Sequence, residues 1–125
     1  MGTETHDPVA TLPVALTQLL KMAASRIEIF EQMLAGDPAN TAVLFGLAKE
    51  YEKAGDAQKL IDTLERYLAA ADDEGNAYGM LAHAYERTNQ SEKAREAYER
   101  GINAATSHGH PGMAEEYREM LKQEF

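Results

Sequence analysis

The sequence contains no cysteine and no tryptophan. Without cysteine the chain has no disulfide, no thiol nucleophile and no thiolate ligand for zinc or an iron–sulfur cluster. It also lacks an apolar run of the ~18 residues that a membrane-spanning helix needs. Its N-terminus shows no basic region followed by an apolar one, so we predict no secretion signal. These absences together predict a cytoplasmic protein with no membrane partner.

Clusters of basic residues are absent as well. Among 125 residues, 21 aspartates and glutamates outnumber 12 lysines and arginines, which leaves a net charge of −9 at pH 7. Phosphate backbones are bound by clustered lysine and arginine, so we predict that nucleic acid is not a partner. The apolar fraction of 44% is ordinary for a globular chain and is enough for one modest core.

What the sequence does contain is an internal repeat. Leu47-Ala48-Lys49-Glu50-Tyr51 returns 34 residues later as Leu81-Ala82-His83-Ala84-Tyr85. A third copy, Met113-Ala114-Glu115-Glu116-Tyr117, follows 32 residues after the second. A period of this length indicates one supersecondary unit that is repeated and stacked, so that each unit buries its apolar face on the next.

Helical periodicity fills the segments between polar breaks, and no stretch alternates as a strand does. We predict helices at residues 13–35, 41–53, 57–70, 76–87, 92–105 and 111–123, after a flexible tail at residues 1–12. Asp56 is the expected N-cap of the third helix, because its side chain can accept from the first free backbone N–H groups. Gly36 is expected to close the first helix in the left-handed conformation.

Each unit resembles the tetratricopeptide repeat, with its leucine, small residue and tyrosine followed by a Gly-Asp turn. Residues 41–74 and 75–107 form two full units, and a partial unit or capping helix flanks them on each side. The resemblance implies an all-α fold, a right-handed α-solenoid of antiparallel helix pairs in one domain over residues 13–124. Asn89 in place of the turn glycine, Leu60 in place of a small residue and Asp72 in place of a closing proline depart from the pattern.

The resemblance also implies a function, namely the binding of a peptide or helix of another protein in a concave groove. The groove is formed, by repeat position, by Ala42, Phe45, Lys49, Glu52, Asn76, Gly79, His83, Glu86, Met113 and Tyr117. For Met113 and Tyr117, core packing is the alternative. Only Lys49 is basic at the positions where some family members grip a carboxylate, so we favour an apolar helix or an extended segment as ligand. A groove that binds nothing specific stays open as an alternative.

Neither an enzyme nor a cofactor is expected. His108 and His110 are the densest pair of potential metal ligands, but zinc normally takes three or four protein ligands, so we predict no metal site. The sequence has no glycine-rich phosphate loop and no nucleophile elbow.

The first predicted helix has two interpretations. A standard half-unit turns near Lys21 to Ala23, and Ser25 with Glu28 matches a capping box, which favours two short helices. The apolar spacing runs through this region without a phase break, which favours one helix of about 35 Å. We prefer one helix. Its end would then extend past the stack and expose Leu16, Leu19 and Leu20, and a second copy in a two-fold homodimer is the expected cover.

Overall fold

A computed structural model describes residues 13–124 as six α-helices. They are α1 (Val14–Gly36), α2 (Thr41–Ala54), α3 (Ala57–Ala70), α4 (Asn76–Arg87), α5 (Ser91–Ser107) and α6 (Pro111–Glu124). No strand occurs within the described residues, which confirms the all-α prediction. The tail predicted at residues 1–12 lies outside them.

The ends of the helices follow from turn chemistry. The side chains of Asn40 and Asp56 accept from backbone N–H groups three residues ahead, each at 3.1 Å, and so cap α2 and α3. Gly55 (φ 75°) closes α2 in the left-handed region, and Asn89 (φ 59°) takes that conformation after α4. Asparagine is one of the few side chains that tolerates it, so the departure from glycine keeps the turn.

The prediction for Gly36 is wrong. Gly36 is the last residue of α1 and does not have a positive φ. Asp37, which is not left-handed either (φ −147°), ends the helix instead, and its N–H donates to the carbonyl of Met33 at 3.0 Å. A glycine after a helical stripe therefore marked the end of the helix here without supplying a left-handed residue.

Consecutive helices pack against each other along the whole stack, from α1 on α2 to α5 on α6. Short loops join them, so neighbouring helices run antiparallel. The residues predicted to be core are all buried: Leu47, Leu64, Leu81, Ala82, Tyr85 and Tyr98. The alanines of the repeated signature are fully buried between helices, where a larger side chain would hold the backbones apart.

The repeat extends to the polar contacts. The Tyr85 hydroxyl donates to Glu65 Oε2 at 2.8 Å, and the Tyr51 hydroxyl donates to Glu31 in the preceding unit. Both bonds run from a first helix to the second helix of the unit before it. Burial, together with the neighbouring carboxylate, raises the pKa of Tyr85 to about 12 and also raises that of Tyr51. Each tyrosine thus stabilises a junction between units, because its ring is buried and its hydroxyl is hydrogen-bonded to the preceding unit.

Helix α1 is one helix of 23 residues without a turn near Lys21. Ser25 and Glu28 lie in its middle and do not start a second helix. Leu34 is its only buried side chain among the described residues, while Ile27 and Phe30 are half-buried against the core. The N-terminal half of α1 is mostly exposed.

Candidate protein-binding surfaces

The first helices of the successive units, α2, α4 and α6, line a common cavity on one face of the stack. Its wall comes from Glu52 of α2, from Asn76, Gly79, Met80 and His83 of α4, and from Glu116 and Tyr117 of α6. Five of the ten residues predicted for the groove therefore border one cavity. Sequence reasoning missed Glu116, which lies next in sequence to the predicted Tyr117, and Met80 was not among the ten residues.

The other three residues predicted on α2 precede Glu52 on the same helix and do not line this cavity. Ala42 and Lys49 are exposed, whereas Phe45 is half-buried with its ring 5.2 Å from the ring of Tyr67. The Lys49 ammonium lies 5.8 Å from the centre of the Phe45 ring and 3.6 Å from the Glu52 carboxylate. Lys49 thus interacts with two residues of its own helix, and Phe45 packs on Tyr67 while part of its ring stays exposed.

A small hydrogen-bond network adjoins His83, one of the residues that line the cavity. The buried Tyr98 donates its hydroxyl to Glu86 Oε1 at 2.7 Å, and His83 Nδ1 lies 3.5 Å from the same oxygen. The rings of His83 and Tyr98 meet edge-on at 6.2 Å. Glu86 is therefore held from two sides, by Tyr98 and by His83.

Tyr117 covers the backbone of the second full unit. A Cβ built on Gly79 would lie 2.5 Å from the Tyr117 hydroxyl, and one on Gly101 would lie 2.8 Å from its ring. The hydroxyl donates to the carbonyl of Gly75 at 2.8 Å, and burial raises the pKa of this phenol. In the first full unit, Phe45 and Tyr67 occupy the positions that correspond to these two glycines. The Tyr117 ring thus fills the space that the rings of Phe45 and Tyr67 fill in the first full unit.

Met113 is half-buried beside the same junction. A Cβ on Gly75 would lie 2.6 Å from its sulfur, and Gly75 has a φ of 133°. Met113 and Tyr117 therefore pack α6 onto the stack, and Tyr117 also borders the cavity.

Substitutions of Gly101 and Gly112 give a matched pair of predictions. Gly101→Ala should lower the free energy of unfolding by about 1–3 kcal/mol, because its Cβ would overlap the Tyr117 ring and the Tyr78 Cβ. Gly112→Ala, in α6 with open space around it, should raise that free energy by up to about 1 kcal/mol through helix propensity. Urea denaturation of both variants measures the difference. If the two substitutions changed the free energy of unfolding equally, the Tyr117 ring would not be packed against Gly101.

The two loop histidines are engaged separately. His108 Nε2 lies 3.1 Å from Asp72 Oδ1, and His110 Nε2 lies 2.6 Å from Glu74 Oε1. The hydrogen bond from His110 lowers the pKa of Glu74. Over residues 13–124, no three histidines or carboxylates come together as metal ligands. The pairs instead join the α5–α6 loop to the α3–α4 loop.

A second surface lies on α1. Every large apolar side chain that is exposed in the described part of the chain belongs to this helix: Val14, Leu16, Leu19, Leu20, Met22, Ile29 and Met33. The sequence predicted Leu16, Leu19 and Leu20 to be exposed at its overhanging end. It missed Met22, Ile29 and Met33, which share a face of the helix with Leu19.

The geometry defines a helical repeat protein, and comparison with known proteins identifies the repeat. The tetratricopeptide repeat model matches residues 75–108. The crystal structure of MamA protein is similar with a TM-score of 0.64 and 21% sequence identity, over 84% of this chain and 65% of that chain. The present chain thus spans less than two thirds of that one. No curated protein matches the sequence. Residues 75–108 thus match a tetratricopeptide repeat, and the all-helical fold is that of a tetratricopeptide-like solenoid.

Tetratricopeptide repeats generally mediate contacts between proteins, and the scaffold is generally non-catalytic. Within residues 13–124, no helix is both long and apolar enough to cross a membrane.

Proposed function

We propose that this chain is an adaptor that binds a segment of a partner protein in its concave groove. The observation that supports the proposal is the cavity shared by α2, α4 and α6, since three successive units contribute side chains to one recess. A segment lying across the first helices would contact all three units at once. This is how stacked repeats offer an extended surface that no single unit has.

The charge of the groove favours a particular kind of segment. Glu52 and Glu116 line the cavity, and Lys49 is already paired with Glu52. A carboxylate ligand would meet net negative charge there, so we expect a segment with at least one basic side chain. Met80 and the exposed part of Phe45 supply apolar contacts for its other side chains.

Charge reversal tests the groove without touching the core. Peptides selected from a display library against the wild-type chain should bind at least tenfold more weakly to Glu52→Lys with Glu116→Lys, because both carboxylates line the cavity. Calorimetric titration measures the change. Glu96→Lys, on the exposed side of α5, is the matched control and should bind like the wild type. Peptides that bind all three proteins equally would refute the groove. Phe45→Glu is a poorer test because that ring also packs on Tyr67.

A second candidate function is self-assembly through α1. It is favoured by the concentration of exposed large apolar side chains on this one helix, since such a surface marks a contact with another protein. Leu16, Leu19 and Leu20 are the residues first predicted for this contact. A dimer that forms through these leucines predicts that Leu16→Asp with Leu20→Asp leaves a folded monomer.

A further inference from the structure

Helix α1 carries two parallel apolar stripes. One of them, Leu16, Leu20, Ala23, Ile27, Phe30 and Leu34, packs on the core through its last three members, while Leu16 and Leu20 are exposed. The other, which we term the outer stripe, consists of Ala15, Leu19, Met22, Arg26, Ile29 and Met33. Its spacing of 4, 3, 4, 3 and 4 residues is that of a coiled-coil seam. All six of its residues are exposed, and about half of the surface of Met22, Ile29 and Met33 faces solvent.

In the next unit the same positions are covered. Ile29 and Met33 correspond to Thr63 and Tyr67, 34 residues later. Thr63 is buried, and Tyr67 packs on Phe45 of the first helix of its own unit. Residues 14–20, which by register belong to the first helix of the N-terminal unit, are already part of α1 itself. Within the described residues, no helix therefore covers the outer stripe in the way that α2 covers α3.

The outer stripe is complementary to itself when reversed. An antiparallel two-fold arrangement centred on residue 24 pairs Ala15 with Met33, Leu19 with Ile29, and Met22 with Arg26. The small alanine faces the long methionine, and two branched apolar side chains meet in the next layer. We propose that a second copy of this chain covers the outer stripe, with the two α1 helices antiparallel in this register. The proposal rests on self-assembly, the second candidate function above.

The charges beside the outer stripe are compatible with a second copy of this chain. Two chains of net charge −9 repel each other, so their contact must be free of facing carboxylates. The residues that flank the seam on its solvent side are Gln18, Ser25 and Gln32, all uncharged. The two-fold axis brings Ser25 near the Ser25 of the second copy and Gln18 near its Gln32. No like charges meet there.

Arg26, the one charged residue of the outer stripe, is neutralised within its own chain. Its Nε lies 2.5 Å from Oε1 of Glu50, whose side chain is 7% exposed. The guanidinium is thereby drawn toward α2, and the aliphatic part of the side chain is left to face Met22 of the second copy. The seam can therefore close without leaving an unpaired charge inside it.

Because the chain has no cysteine, single cysteines report on the arrangement directly. After mixing Leu19→Cys with Ile29→Cys and oxidising, a disulfide should join the two variants. Each variant alone should stay uncrosslinked, since its two cysteines would lie 10 residues, or about 15 Å, apart along the pair. A disulfide needs Cβ atoms within about 4.5 Å. Crosslinking of Leu19→Cys with itself would instead show a parallel pair and overturn the register.

A charge placed in the seam provides a second test that needs no disulfide geometry. Ile29→Glu should abolish the dimer while the helical circular dichroism stays unchanged, because Ile29 is already half-exposed in the single chain. Ala24→Glu, on the opposite side of the same helix, is the matched control and should leave the dimer intact. A wild-type chain that is monomeric would refute self-assembly altogether. A wild-type dimer that survives Ile29→Glu, or that crosslinks in another pattern, would refute only this arrangement.

Discussion

Tyr98→Ala should remove about 3–5 kcal/mol from the free energy of unfolding, the largest loss expected from any single truncation in the repeat core. Tyr98 is fully buried in α5 and is among the largest side chains without solvent contact. Its ring lies 5.7 Å from that of Tyr117 and meets His83 edge-on, so its removal leaves a void beneath the groove. The substitution also takes the hydrogen-bond donor away from Glu86.

Chemical denaturation monitored by circular dichroism measures this loss. Tyr98→Phe is the control, since it keeps the ring and removes only the hydroxyl, and it should cost about 0.5–1.5 kcal/mol. If the two variants lost the same amount, the hydroxyl rather than the ring would hold α4 and α5 together. That outcome would contradict the packing described for this unit.

Leu81→Ala should cost about 2–5 kcal/mol through lost burial and the cavity that remains. Leu81 begins the second copy of the repeated signature and has no exposed surface, and Leu47, its equivalent one unit earlier, is 2% exposed. The same truncation at Leu47 should therefore give a loss of similar size. A loss below about 1 kcal/mol at Leu81 in urea denaturation would show that the leucine of the signature does not mark the core.

The repeat signature made the core predictable, because leucine, alanine and tyrosine recur at a spacing that only stacked helix pairs explain. Asp56 was predictable as a cap, since a side-chain acceptor directly after Gly55 suits the start of α3. The six helices were predictable from the same spacing and the polar breaks between them.

Features that depend on contacts between units were not predictable from the pattern. Gly79 and Gly101 are far apart in the sequence, and only the folded chain shows that Tyr117 fills the space above both. The signal was present in retrospect, because two glycines replace two aromatic residues at the same repeat positions. Glu116 was missed because the groove was inferred from a few repeat positions rather than from the whole wall.

The outer stripe of α1 was hidden for a different reason. The stripe that faces the stack is more continuously apolar and dominates the helical pattern, whereas Arg26 interrupts the outer one. An arginine in the sequence indicates a solvated face. Only its contact with the buried Glu50 shows that this charge is balanced inside the chain and leaves the seam available.

The mass of the wild-type chain in solution tests most directly whether α1 is a contact surface. Light scattering over a concentration series should show the mass rising from 13.8 kDa toward twice that value as the concentration reaches the high micromolar range. A mass that stays at 13.8 kDa throughout would contradict the account, and would leave the concave groove as the surface through which this repeat protein acts.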